Sequence, residues 1–128
     1  MSQSLVSEPP QSDAESQVVT KAAIRAAALL DIPNTVLAKI LGVSEASVSR
    51  MRAGKFSLEQ SSKAFELSVL FVRLFRGLDA IVGGDAAAAR SWLRTENTAL
   101  RGTPITLIQS VTGLTQTVQY VDARRARI

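Results

Sequence analysis

The side chains best placed to do chemistry stand at the C-terminal end, YVDARRARI, where Tyr120 and Asp122 precede Arg124, Arg125 and Arg127. Closely spaced guanidinium groups beside a phenol bind anionic or polar groups through directed, charge-assisted hydrogen bonds. The same arginines also favour the negative end of a helix and keep it solvated, so composition alone leaves both uses open. Catalysis has little to work with. The chain has no histidine and no cysteine, which removes the commonest general base, the commonest metal ligand and every thiolate site. Gly83-Gly84 is not a phosphate loop, because no Lys-Ser or Lys-Thr follows it and no strand is expected before it. Asp79 and Asp85 flank the pair, but Asp85 is explained as a helix cap. The expectation is therefore a protein that binds, with no catalytic residue, metal, cofactor or small-molecule substrate.

Holding that end in place requires helices. Thr103 can cap a helix with Pro104 at its first position, where the missing N–H costs nothing. Ile105, Leu107, Ile108 and Val111 supply its apolar side, and Gly113 is expected to stop it. A second helix then starts at Thr115, with Leu114, Val118 and Val121 facing inward and Val121 as the last core position. Upstream, Asp85 caps a helix from Ala86 to Leu93, with Ala89, Trp92 and Leu93 inward and Trp92 as an aromatic anchor. Leu58 to Val82 contains no breaker and is predicted to be one long helix. It carries two apolar stripes, Phe65, Val69, Val72 and Phe75 on one and Leu67, Leu70, Phe71, Leu74, Leu78 and Ile81 on the other. A helix apolar on most of its circumference is buried on several sides, either in one monomer's core or partly against a second copy.

At 128 residues with 46% hydrophobic content, the chain suits one domain or two small ones sharing a core. No apolar run approaches the ~20 residues of a membrane span, and no signal-peptide pattern opens the sequence. The cytoplasm is the expected compartment and no membrane partner is expected. Residues 1–16 are polar, with Pro9-Pro10, and are expected to be a disordered tail. Residues 17–56 hold six basic side chains against only Asp31 and Glu45, the densest positive charge in the chain, which favours an anionic partner there.

Within that basic segment, a helix over Val18–Leu30 with Val18, Ala22, Ala26 and Leu29 on one stripe is closed by Pro33. Asn34 is expected to cap a helix from Thr35 to Leu41, ended by Gly42, and Ser44 a helix from Glu45 to Ala53, ended by Gly54. Two short helices around a glycine-containing turn, with small Ala38 at the crossing and apolar Val48 locking the second onto the first, have helix-turn-helix spacing. The same pattern also fits an αα-hairpin in a small bundle. The run TVLAKILGVSEASVSRMRAGK resembles the Xre-type helix-turn-helix family. That resemblance makes Ser44–Arg52 the recognition helix. It implies Glu45, Ala46, Ser47, Ser49 and Arg50 at the major groove and Arg52 and Lys55 at phosphate, with operator DNA as the partner.

A second resemblance covers roughly Leu67 to Ile128. Gly83-Gly84-Asp85, Ser91-Trp92-Leu93, Glu96-Asn97, Ala99-Leu100, Gly102, Pro104, Leu107, Gly113 and Val118 are similar to the toxin-binding domain of Xre/MbcA/ParS antitoxins. The departure is the end, Ala-Arg-Arg-Ala-Arg-Ile, where that family often has a short apolar or glycine-containing segment. The resemblance implies an all-α protein: a disordered tail (1–16), a helix-turn-helix unit (17–56), then a connecting helix and toxin-binding domain (57–128). It implies a type II antitoxin whose partner is a RES-domain toxin that consumes NAD or transfers ADP-ribose. The C-terminal end would cover the toxin's cleft through Trp92, Tyr120, Arg124, Arg125, Arg127 and Ile128. The helix-turn-helix would repress the operon, and the helical core would form a homodimer. The competing expectation is a plain transcription regulator whose C-terminal half only dimerises or senses a ligand.

Overall fold

The computed structural model describes residues 11–127. They form seven helices: α1 (Gln11–Leu29), α2 (Asn34–Leu41), α3 (Glu45–Arg52), α4 (Lys63–Ile81), α5 (Ala86–Arg94), α6 (Pro104–Leu107) and α7 (Val111–Arg125). An isolated antiparallel bridge joins Asn97 and Gly102 between α5 and α6. The all-α expectation is met.

The first helix starts earlier than its composition suggests. Residues 11–16, expected in the disordered tail, belong to α1, while residues 1–10 lie outside the described residues. Polar contacts hold this end of α1 rather than an apolar stripe. The Thr20 hydroxyl donates to the Ser16 carbonyl at 2.7 Å and accepts the Leu58 N–H at 3.0 Å, and Gln60 Nε2 donates to Glu15 Oε2 at 3.2 Å. The buried face of α1 is also rotated from the expected one. Ala23, Ala26, Ala27 and Leu30 are inside, whereas Val18 is 66% exposed. Small alanines let neighbouring helices approach closely, and this near side is the one the core uses.

The α2–α3 pair is the expected helix-turn-helix. Gly42 ends α2 in the left-handed conformation at φ 71, and its N–H and that of Val43 both close on the Ala38 carbonyl. Val48 is fully buried and Ala38 nearly so. Ser44 caps α3 by accepting the Ser47 N–H at 3.1 Å. Asn34 does not cap α2. Pro33 occupies the cap position without a side-chain bond, and Asn34 is the first helical residue, its side chain turned to α3.

The long helix α4 begins at Lys63, not at Leu58. The Ser62 hydroxyl accepts the Phe65 N–H at 3.1 Å and so fixes the start, while Leu58 is buried ahead of it as an anchor of the connecting segment. Leu67, Phe71, Leu74 and Leu78 form the buried stripe of α4. The second predicted stripe is only half covered, and its Val69 is 43% exposed. α4 packs most extensively on α7 and α1 and also meets α2 and α5, so one helix serves both halves of the chain. Its crossing with α7 is close: a Cβ at Gly77 would lie 2.5 Å from Val121 Cγ1. Gly83 and Gly84, both at positive φ, end α4, and Asp85 caps α5 by accepting the Ala88 N–H at 3.1 Å. From α5, Arg90 donates to the Leu29 carbonyl at 3.0 Å and Arg94 to the Asp31 carbonyl at 2.7 Å. The C-terminal half thereby satisfies open carbonyls at the end of α1.

The α6–α7 boundary differs from the expectation. α6 is a single turn, and α7 starts at Val111 with Ser110 as its cap, accepting the Gly113 N–H at 3.0 Å. Gly113 therefore lies inside α7 rather than between two helices. Its role is close approach: a Cβ there would fall 1.9 Å from the Leu107 carbonyl oxygen. Val111 is consequently exposed, and Ile108, Leu114, Val118 and Val121 carry the packing.

Candidate functional site

Two surfaces carry the chemistry, one on α3 and one where α5 and α7 come together. On α3, Ser44, Glu45, Ala46, Ser49 and Arg50 are exposed and Ser47 is half-buried, so the helix presents the face expected of it. Val48 and Met51 point the other way into the core. Arg50 lies with its guanidinium carbon 5.5 Å from the centre of the Phe56 ring, and Nη2 is 3.4 Å from the Ser47 hydroxyl. The ring and the hydroxyl restrict a long side chain before any ligand arrives, which lowers the ordering cost of binding. Lys55 is exposed just beyond.

Arg52 is arranged differently from its expected place at phosphate. Its Nε donates to Asn34 Oδ1 and its Nη2 to the Ile32 carbonyl at 2.9 Å. Asn34 Nδ2 in turn donates to the Ser49 hydroxyl at 3.3 Å. Arg52 and Asn34 thus tie the end of α3 to the α1–α2 turn and fix how α3 is set. Phe56 and Asn34 are contributors that the sequence pattern did not single out. Asn34 was assigned a cap, and an aromatic outside an apolar stripe gave no signal.

At the other surface, Trp92 from α5 and Tyr120 from α7 stack with centroids 6.3 Å apart and planes 22° from parallel. Arg124 continues the ridge. Its Nη1 donates to Tyr120 Oη at 2.8 Å, and its guanidinium carbon is 5.8 Å from the ring centre. The Tyr120 hydroxyl is held below the ordinary tyrosine range, first by the Asn97 side chain and then by Arg124 and the charge of Arg127, against an opposing push from burial. Asn97 is positioned by its bridge to Gly102, and its Oδ1 accepts the Leu100 N–H at 3.0 Å. The sequence did carry a signal for it, in the Glu96-Asn97 pair.

The three arginines do not act as one group. Arg124 joins the aromatic ridge, whereas Arg125 lines a groove of 480 Å³ between α1 and α4 with Val18, Val69, Val72, Arg73 and Arg76. Arg127 is exposed beyond the end of α7, and Ile128 lies outside the described residues. Asp122 is paired with Arg73 of α4 at 2.6 Å. The core ends at Val121, 1% exposed, and every residue from 123 to 127 is exposed. Among the described residues no cluster of carboxylates suited to a metal occurs. None of their helices is long and apolar enough to cross a membrane.

Two family models match the chain, one for each surface. Residues 10–73 match the antitoxin Xre-like helix-turn-helix domain, and residues 77–127 match the antitoxin Xre/MbcA/ParS C-terminal toxin-binding domain. No match is found among curated proteins.

Proposed function

Because the chain belongs to the Xre-type antitoxins, with their helix-turn-helix and toxin-binding modules end to end, we propose that it neutralises a RES-domain toxin and represses the operon encoding the pair. The toxin would consume NAD or transfer ADP-ribose from it, and the C-terminal end of α7 would lie over its nucleotide cleft. The observation that carries this reading is the Trp92–Tyr120–Arg124 ridge, whose two rings rest half-buried on the core while Arg124 stands exposed beyond its last residue. A stacked aromatic pair with a guanidinium held along its edge presents a flat apolar face and directed donors together. Such a combination suits a cleft shaped for a heteroaromatic ring and a pyrophosphate. Arg127, exposed past the end of α7, extends the same end.

On DNA the protein acts as a homodimer through its helical core, with α3 in the major groove and the exposed Ser44–Arg50 face toward base edges. Lys39, Arg50 and Lys55 are exposed cations on or beside the α2–α3 unit that can meet DNA. A plain regulator with a C-terminal dimerisation half needs no exposed arginines beyond its core, which ranks that alternative second.

Growth of cells expressing the toxin from the adjoining reading frame tests the proposal. The full chain should protect them. A chain lacking residues 124–128 should keep its fold, because Asp122 and its pair with Arg73 remain, and should fail to protect. Protection by the shortened chain would place inhibition elsewhere, in the groove around Trp92 to Leu107.

A further inference from the structure

The face formed by α1 and α4 is unusual for a helical bundle of this size. Val18 is 66% exposed and Val69 43%, and with Val72 they floor the groove whose rim carries Arg73, Arg76 and Arg125. Along the exposed side of α4 the order is Glu66, Val69, Arg73, Arg76. Alternate spacings of three and four keep these residues on one stripe of the helix. Glu66 and Arg76 are equidistant from Phe71, and so, inside them, are Val69 and Arg73. A two-fold axis passing between two copies of α4, level with Phe71, therefore sets each Glu66 opposite the partner's Arg76, and each Val69 opposite the apolar stem of the partner's Arg73. The stripe is complementary to its own inverted copy.

We propose that this face is the two-fold interface with a second copy of the chain, α4 against α4 in antiparallel, with the valines of α1 and α4 buried and the register fixed by the Glu66–Arg76 pairs. The proposal rests on the homodimer reading above and supplies its surface. Nothing in the monomer competes strongly for these groups. Glu66 meets only Lys63, at 3.3 Å and with both side chains largely exposed, and Arg76 makes no ion pair among the described residues. Arg73 is already neutralised by Asp122, so it brings its apolar stem to the seam without an unpaired charge.

Charge reversal provides the test, because like charges facing each other across an interface are strongly unfavourable and a symmetric dimer contains the contact twice. Sedimentation equilibrium of the full chain at micromolar concentrations should find a dimer. Glu66→Arg and Arg76→Glu should each weaken it by about 100-fold, with unchanged helix content by circular dichroism. The double variant Glu66→Arg/Arg76→Glu should restore it, and Val69→Asp should leave a monomer. A dimer that persists through every variant overturns this surface while leaving the homodimer reading intact. A parent chain that is monomeric overturns both. A monomeric parent whose variants lose a toxin or an acidic peptide assigns the face to that partner, against the proposal.

Discussion

Arg52 and Tyr120 show how one side chain can be diverted from an expected role or prepared for one. At Arg52, Nε and Nη2 donate to Asn34 and the Ile32 carbonyl, which turns the guanidinium toward the α1–α2 turn. Arg52→Ala should therefore act through the fold, lowering unfolding free energy by about 1 kcal/mol in urea titrations. Arg50→Ala should leave stability unchanged and erode discrimination between operator and random DNA. Equal loss of discrimination in both variants would mean that Arg52 reads DNA after all. Tyr120 is the only tyrosine, so its ionisation can be followed by ultraviolet absorbance. Its titration should fall below the ordinary tyrosine range and move back up in Asn97→Ala and in Arg124→Ala. The lowered folded value means that the phenolate's extra stability is present above the unfolded tyrosine pKa and is lost as pH falls through the folded one. At neutral pH the hydroxyl is protonated in both states and the shift contributes nothing. Ser68 is a third case: it is fully buried and its hydroxyl has no partner among the described residues. Ser68→Ala should stabilise the protein by about 1 kcal/mol, read as a later urea midpoint.

Among the elements, the helix-turn-helix was the most legible part of the chain. Ala38, Gly42, Ser44 and Val48 each have one physical job at a fixed spacing, and the structure gives each of them that job. Boundaries set by side-chain caps were harder to read. Ser62 starts α4 where apolar content alone favoured Leu58, and Ser110 starts α7 across a glycine that looked like a stop. Gly113 misled because a glycine needed for close approach and one needed for positive φ are the same letter. The start of α1 was hidden for another reason, since the bonds that Thr20 donates to Ser16 and that Glu15 accepts from Gln60 hold it and leave no periodicity. The aromatic ridge was half legible. Trp92 and Tyr120 were both named, but their stacking depends on the α5–α7 angle, which no local pattern encodes. The α7 side of that arrangement is held close to α4 at Gly77. Gly77→Ala should cost about 1–3 kcal/mol from the clash with Val121, partly offset by the ~1 kcal/mol that alanine gains over glycine in a helix. Val121→Ala in the same chain should recover part of the loss in a double-mutant cycle. Simple additivity would show that the two sites are not in contact.

Over the whole molecule, α4 packs against elements of both halves, and Arg90 and Arg94 reach from α5 to the end of α1. The α3 surface and the α5–α7 surface are therefore built on one continuous core and should unfold together in a single transition seen by both far-ultraviolet circular dichroism and Trp92 fluorescence. Operator binding should weaken steeply with salt, because Lys39, Arg50 and Lys55 stand exposed on or beside the α2–α3 unit and any phosphate they meet releases counterions. A slope unchanged by Lys55→Ala would remove that residue from the phosphate set. The central claim, that the C-terminal end of α7 occupies the nucleotide cleft of a RES-domain toxin, is tested most directly by NAD turnover. Purified toxin from the adjoining reading frame is titrated with the full chain, with Arg124→Ala and with the chain lacking residues 124–128, while NAD loss is followed. The full chain should stop turnover at stoichiometric concentration. Arg124→Ala should need about 10-fold or more to do so, as expected when a buried polar partner is left unpaired, and the shortened chain should not inhibit. Full inhibition by the shortened chain at the parent's concentration would contradict the account.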